Sequence, residues 1–215
     1  MLTLRLAFRN LLRHKSRSLL CALSMMGAYV LFSISLGFSD GSYGSLIRML
    51  TDTHSGHVQI HSQGYLERPS LFRNFILYPA LKNQLTADPE IEAWSARVFS
   101  SALIFRENKS TIARLMAIDP EQEAQVTTMR EKVQDGEYLS EAADVTNPIL
   151  LGRHLQKLLQ AKLGETLIFI GQGADGSIAN DLFTVVGIVG KSSADAESHM
   201  IYMTLESAQE FLSLG

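Results

Sequence analysis

Residues 19–38 read LLCALSMMGAYVLFSISLGF, twenty consecutive positions without a charge, bracketed by Arg17 and Asp40. A helix of that length spans about 30 Å, the thickness of a bilayer's hydrocarbon layer. Nine of the twenty are Leu, Ile, Val or Phe, each favouring insertion by about 0.3–0.6 kcal/mol near the helix centre. A buried helix of a globular core keeps a polar stripe, and this run has none. The run is therefore expected to cross a membrane, as a helix over residues 18–39. Everything else in the chain is organised around that crossing.

The flanks give it a direction. Arg5, Arg9, Arg13, Lys15 and Arg17 precede the run with no acid among residues 1–17, while residues 18–215 hold 14 Lys/Arg and 22 Asp/Glu. Basic residues on one side of an apolar run mark the cytoplasmic side. Leu4, Ala7, Phe8, Leu11 and Leu12 share one helical face and the arginines another, so residues 1–17 are expected to lie as an amphipathic elbow in the cytoplasmic interface. Arg5, Arg9 and Arg13 would face anionic headgroups, with Lys15 and Arg17 beside them. A cleaved signal peptide fits less well, because the apolar run exceeds the usual core of roughly 7–15 residues. Inside the span, Ser24 and Ala28 are four apart, as are Ser33 and Gly37, with Gly27 beside the first pair. Small residues at this spacing let membrane helices pack closely. Cys21, the single cysteine, lies within the span, so no disulfide framework exists outside it.

Residues 40–215 are then an extracytoplasmic domain. GHVQIHS (residues 56–62) alternates as a strand, and PALKNQLTADP reads as a short helix stopped by Pro89. IEAWSARVFSSALIF and STIARLMAID read as two strands joined at RENKS. PEQEAQVTTMREKV starts a helix at Pro120, and NPILLGRHLQKLLQAKL reads as a helix capped by Gly164. ETLIFI, DLFTVVGIV and MIYMTL follow as strands, with ESAQEFLSL as a last helix. Strands and helices mixed without strict alternation indicate an α+β fold. YLERPSLFRNFILYP, residues 65–79, is either an apolar surface for cargo or a partner, or a buried hairpin.

Two glycine patterns imitate nucleotide sites. Gly190-Lys191-Ser192 ends as a phosphate loop does, but Val185 stands where the first glycine belongs and a polar loop follows instead of a helix. GQGADG, residues 171–176, satisfies G-x-G-x-x-G, yet it leads into a strand and reads as a hairpin loop. No cofactor is expected. His54, His57 and His61 cluster, but on a strand His57 and His61 would stand about 13 Å apart. Asp195, Glu197 and His199 alternate on a polar loop, and neither group makes a convincing metal site. Scattered bases give no nucleic-acid stripe. No catalytic residues are expected.

The segment LRLAFRNLLRHKSRSLLCALSMMGAYVLF resembles the opening of ABC-transporter permeases of the FtsX/MacB/lipoprotein-release type. These begin with an A-x-R-N-L-x-R-x-K-x-R-[ST]-x-L elbow, whose places are filled by Ala7, Arg9, Asn10, Leu11, Arg13, Lys15, Arg17, Ser18 and Leu20. GHVQIHSQGYLERPSL resembles the first extracytoplasmic strand and loop of LolC/LolE-like members. The stretch from PILLGRHL to FTVVGIV resembles the later half of their periplasmic core domain. The resemblance implies a permease subunit in a bacterial inner membrane that binds no nucleotide itself. Its partners would be a cytoplasmic ABC ATPase and a second permease copy or paralogue, with lipoprotein, peptide or small toxic cargo. Relatives continue into three more membrane helices, so the chain is expected to be a fragment or a truncated relative. A single-span anchored sensor or binding module is the alternative, and a secreted hydrolase behind a cleaved signal is a third reading.

Overall fold

The computed structural model describes residues 9, 13–50, 56–193 and 195–214. The chain divides into two units, residues 1–51 and 52–215. The first is dominated by α1, Lys15–Leu50, a helix of 36 residues. At 1.5 Å per residue it is about 54 Å long, nearly twice the hydrocarbon thickness. Its stretch Lys15–Gly44 is long and apolar enough to cross a membrane. Gly41 and Gly44 do not end it. The helix therefore continues eleven residues beyond the expected span of residues 18–39, to Leu50.

The second unit is a mixed barrel. Its elements are α2 (Pro79–Ala87), β1 (Arg97–Arg106), β2 (Lys109–Ile118), α3 (Pro120–Val126), β3 (Val133–Gly136) and β4 (Pro148–Gly152). They continue with α4 (Arg153–Leu159), β5 (Thr166–Gln172), β6 (Ile178–Val189), β7 (Met200–Thr204) and α5 (Leu205–Phe211). The strand order is β3-β6-β4-β7-β2-β1-β5, and β5 pairs with β6 as well. Six strands therefore close into a ring with β3 appended to it. Closure removes most of the unpaired edge that an open sheet would expose. The length of β6 makes it possible. Its first half pairs with β5 from Ile178 to Thr184, and its second half pairs with β4 and β3. Only β2–β7 and β4–β6 are parallel.

Two tight connections set the register. Arg106 and Lys109 face each other across a two-residue turn in which Glu107 has φ 49°. Gln172 faces Ile178 across the glycine loop.

Alternation fills the core from both faces of the sheet. Ala113, Leu115, Ile149, Leu151, Phe169, Phe183, Ile201 and Met203 belong to one cluster. Their neighbours in sequence, Met116, Leu150, Met200 and Tyr202, belong to a second cluster with Met129, Tyr138 and Val189. The ring planes of Phe183 and Phe211 stand at 85° with centroids 5.4 Å apart, the edge-to-face contact that aromatic quadrupoles favour. Phe211 thus seats α5 against the barrel.

Several sequence expectations change here. The expected strand at residues 56–62 is irregular and exposed, with Val58 83% accessible. Alternation alone cannot make a strand where no neighbour offers a ladder. The expected helix over NPILLGRHLQKLL is β4 followed by α4. Ile149, Leu150 and Leu151 are buried on both sheet faces, and such a strand reads as a continuous apolar run that imitates a buried helix. The cap of α4 is Gln160 at φ 55°, while Gly164 lies beyond it and donates its N–H to the Val185 carbonyl. The helix expected from Pro120 ends at Val126, and Val133–Gly136 forms β3. The first of the two paired strands starts at Arg97, so residues 91–96 are outside it. The α+β class holds, as do the hairpin, the later strands and the last helix.

Candidate functional site

The candidate working surfaces are the long apolar helix α1, the glycine loops and the polar pairs of the barrel. On α1 the bases Lys15 and Arg17 are exposed, as are Arg9 and Arg13 ahead of it; Arg5 lies outside the described residues. Ser24, Gly27, Ala28, Ser33 and Gly37 are all exposed on the helix. A Cβ added at Gly27 or Gly37 would meet nothing within 4 Å, so this helix does not itself require glycine there. At about 100° per residue, Ser24, Gly27 and Ala28 share one face, and Ser33 and Gly37 lie on the opposite one. The small residues therefore fall on two faces, one for each of the expected pairs. Ser24 donates its hydroxyl to the Leu20 carbonyl at 2.8 Å, as serines in apolar helices do.

The phosphate-loop imitation closes on itself. After β6, Gly190 has φ 91°, and the Lys191 and Ser192 N–H groups both donate to Asp195 Oδ2 at 2.8 Å. Those are the amides that would cradle a phosphate, and a carboxylate already holds them. Gly190 is glycine for a second reason: a Cβ there would stand 2.4 Å from Ser198 Oγ. The second imitation, residues 171–176, is the β5–β6 hairpin loop. Gly173 N–H donates to the Ser177 carbonyl, and Asp175 accepts from the Ser177 N–H and hydroxyl. The Ser177 hydroxyl bond holds the Asp175 carboxyl below its ordinary value. Ala174 N–H reaches the Leu212 carbonyl at 2.7 Å, tying the loop to the end of α5. Both glycine patterns serve the fold.

The histidines are spread in the same way. His61 stacks on Tyr65 at 4.8 Å and its Nε2 lies 2.8 Å from Gln59 Oε1. His57 shares no strand with it, and His54 is outside the described residues. His199 packs against His154 with ring centroids 4.2 Å apart and planes tilted by 35°, and its Nε2 lies 3.0 Å from the Ser193 carbonyl. Asp195 caps its loop, and Glu197 pairs with Lys132. Among the described residues no three His, Cys, Asp or Glu side chains gather as a metal site.

The buried charges are paired. Glu123 accepts from Arg97 Nε at 2.9 Å and Nη2 at 2.7 Å, and from the Thr127 hydroxyl at 2.9 Å. Burial, then the Glu123 charge, pushes the nearby Tyr138 phenol up, and burial does the same to Tyr202. Arg106 donates to the Leu159 carbonyl and pairs with Glu165 at 2.8 Å. Arg153 donates to the Gly190 carbonyl and to Asp135, both at 2.8 Å. These pairs carry no signal in the sequence, since Arg97 and Glu123 stand 26 residues apart. What they do is fasten helices and loops to the barrel.

Residues 65–79 form an exposed turn rather than a buried hairpin. Phe72, Phe75, Ile76 and Tyr78 are exposed, and Leu71 alone packs against the barrel cluster.

The family model described as the MacB-like periplasmic core domain matches residues 18–214. A search of curated proteins returned no match. Among solved structures, the crystal structure of the extracellular domain of the noncanonic ABC-type transporter YknZ from Gram-positive bacteria is similar, with 14% identity and a TM-score of 0.46. That similarity covers 60% of this chain and 62% of the other, less than two thirds of its length.

Proposed function

The chain belongs to the family of the MacB-like periplasmic core domain, and from that membership we propose that it is a permease subunit of an ABC transporter. In this reading residues 1–17 lie in the cytoplasmic interface, residues 18–39 cross a bacterial inner membrane and residues 40–215 work outside it. A separate cytoplasmic ATPase hydrolyses ATP, and α1 carries part of the resulting motion to the barrel. A second permease copy or paralogue completes the assembly. Its cargo is a lipoprotein, a peptide or a small toxic compound already outside the membrane.

The observation that carries the reading is that one family match, residues 18–214, takes in the apolar helix and the barrel together. The barrel also suits a lever. Its loops are braced by internal ion pairs and its glycine loops are filled by its own carboxylates. A rigid body passes on displacement, whereas a soft one absorbs it.

The test is co-purification. The full chain, expressed with its neighbouring genes and solubilised in mild detergent, should bring down an ATPase whose hydrolysis rate changes on reconstitution with it. Recovery of the chain without an ATPase, at any detergent or nucleotide condition, would overturn the proposal.

A further inference from the structure

Within the second unit, ahead of β1 in sequence, is a segment that is apolar and basic and that the unit's own fold leaves uncovered. Leu66, Phe72, Phe75, Ile76 and Tyr78 are all exposed, Phe72 at 60%. The segment is not loose chain. Leu71–Arg73 forms a 3-10 turn whose first N–H groups are met by Ser70, whose hydroxyl accepts from Phe72 N–H. Arg73 donates to the Gly64 carbonyl, and the Ser62 hydroxyl donates back to the Arg73 carbonyl. Leu71 fixes the turn to the barrel cluster. Its neighbours are therefore held outward.

Charge says what the outward face suits. Residues 56–82 carry three Lys/Arg and one Glu, whereas residues 83–215 carry ten Lys/Arg and nineteen Asp/Glu. The positive stretch of an otherwise acidic domain holds the exposed aromatics Phe72, Phe75 and Tyr78, with Phe99 on β1 exposed outside it, and Arg68 and Lys82 in the stretch are exposed. Aromatic and aliphatic side chains interleaved with bases fit the boundary between headgroups and acyl chains, especially where the lipids are anionic. Covalent reach agrees. Twelve helical residues separate Phe38, the last of the uncharged run, from Leu50, about 18 Å. The next six residues, to Gly56, add at most about 20 Å.

We propose that residues 66–78 are a second membrane contact, dipping Phe72, Phe75 and Ile76 into the interface of the bilayer that α1 crosses, with Arg68 and Lys82 on anionic lipid phosphates. This contact would tether the barrel near the membrane surface. It rests on the membrane span and not on an ATPase.

The experiment uses the full chain with Trp94→Phe, which removes the single tryptophan, and adds Phe72→Trp, Phe75→Trp or, as a control on β6, Ile178→Trp. Each is reconstituted into phosphatidylcholine vesicles with or without a quarter phosphatidylglycerol, and with brominated acyl chains as quencher. Tryptophan at 72 and at 75 should be quenched at least twofold more than tryptophan at 178. Phosphatidylglycerol should deepen the quenching, and Arg68→Glu with Lys82→Glu should remove that gain. Quenching no greater than at 178 overturns the proposal in either of two ways. Acrylamide access would show a free surface, and shielding from both quenchers would show a protein or cargo occupant. Because no ATPase is needed, either failure leaves the permease proposal standing, and a missing ATPase leaves this one standing.

Discussion

Glu123 is 1% exposed, and such a carboxylate survives burial only because its acceptor sites are filled. Arg97 supplies two donors and Thr127 a third. Removing one partner strands the other, and an uncompensated buried charge costs about 3–5 kcal/mol. Glu123→Ala should destabilise the chain by that amount in chemical unfolding, and joint replacement with Arg97→Met should recover part of the loss. A milder effect belongs to Glu165. The Lys162 backbone N–H, then the Arg106 side chain, hold its carboxyl below the ordinary value. A depressed folded value means stability that is present above the unfolded carboxylate range, near pH 4–5, and that is lost as pH falls through the lower folded value. Glu165→Gln should therefore lower stability near pH 7, where that contribution is present in full, change little in strong acid where it is already lost, and so flatten the acid limb of an unfolding profile below pH 5. An unchanged acid limb would sink that assignment.

At the scale of elements, what the sequence discloses depends on how many faces an element buries. Strands with one wet face, such as β5 and the first half of β6, alternate and are legible. In β4 every residue is buried, its period vanishes, and it passes for the start of the helix behind it. β3 is four residues long with a register shift between Val133 and Asp135, too short to stand out from the polar segment that contains it. The false strand at residues 56–62 shows the converse, a period with no partner. The site divides similarly. The apolar helix is written in consecutive residues and can be read, whereas Asp195 on its two amides and Arg97 on Glu123 depend on the folded chain. The helix also gives the sharpest element-level prediction. Arg at the centre of a span costs about 2.5–3.5 kcal/mol, close to what its nine large apolar residues contribute together. Leu31→Arg should lower the inserted fraction from nearly complete to about half, measured by alkaline extraction of membranes, and Leu31→Ala should leave it nearly unchanged.

For the whole molecule the decisive quantity is which way α1 points. Orientation follows Lys and Arg close to the ends of the span, and acids count for little. Five bases, Arg5, Arg9, Arg13, Lys15 and Arg17, stand before the apolar run, while Arg48 is the only one among residues 39–58. The acidic balance of the barrel is therefore irrelevant to topology, and the bias is five against one. Arg5→Glu, Arg9→Glu and Arg13→Glu together reduce it to two against one. The wild-type chain should then show its barrel to protease added to intact spheroplasts and hide it in inside-out vesicles. The triple variant should give both populations, with a substantial fraction protected in spheroplasts. A barrel protected in wild-type spheroplasts would mean that residues 52–215 face the cytoplasm, and no extracytoplasmic work by this domain could then be maintained. A triple variant that stays wholly external would mean that orientation is set elsewhere, by folding of the barrel or by a partner helix packed on Ser24 and Ala28 or on Ser33 and Gly37. Those two faces can be told apart, because Gly27→Ile would disturb only the first and Gly37→Ile only the second.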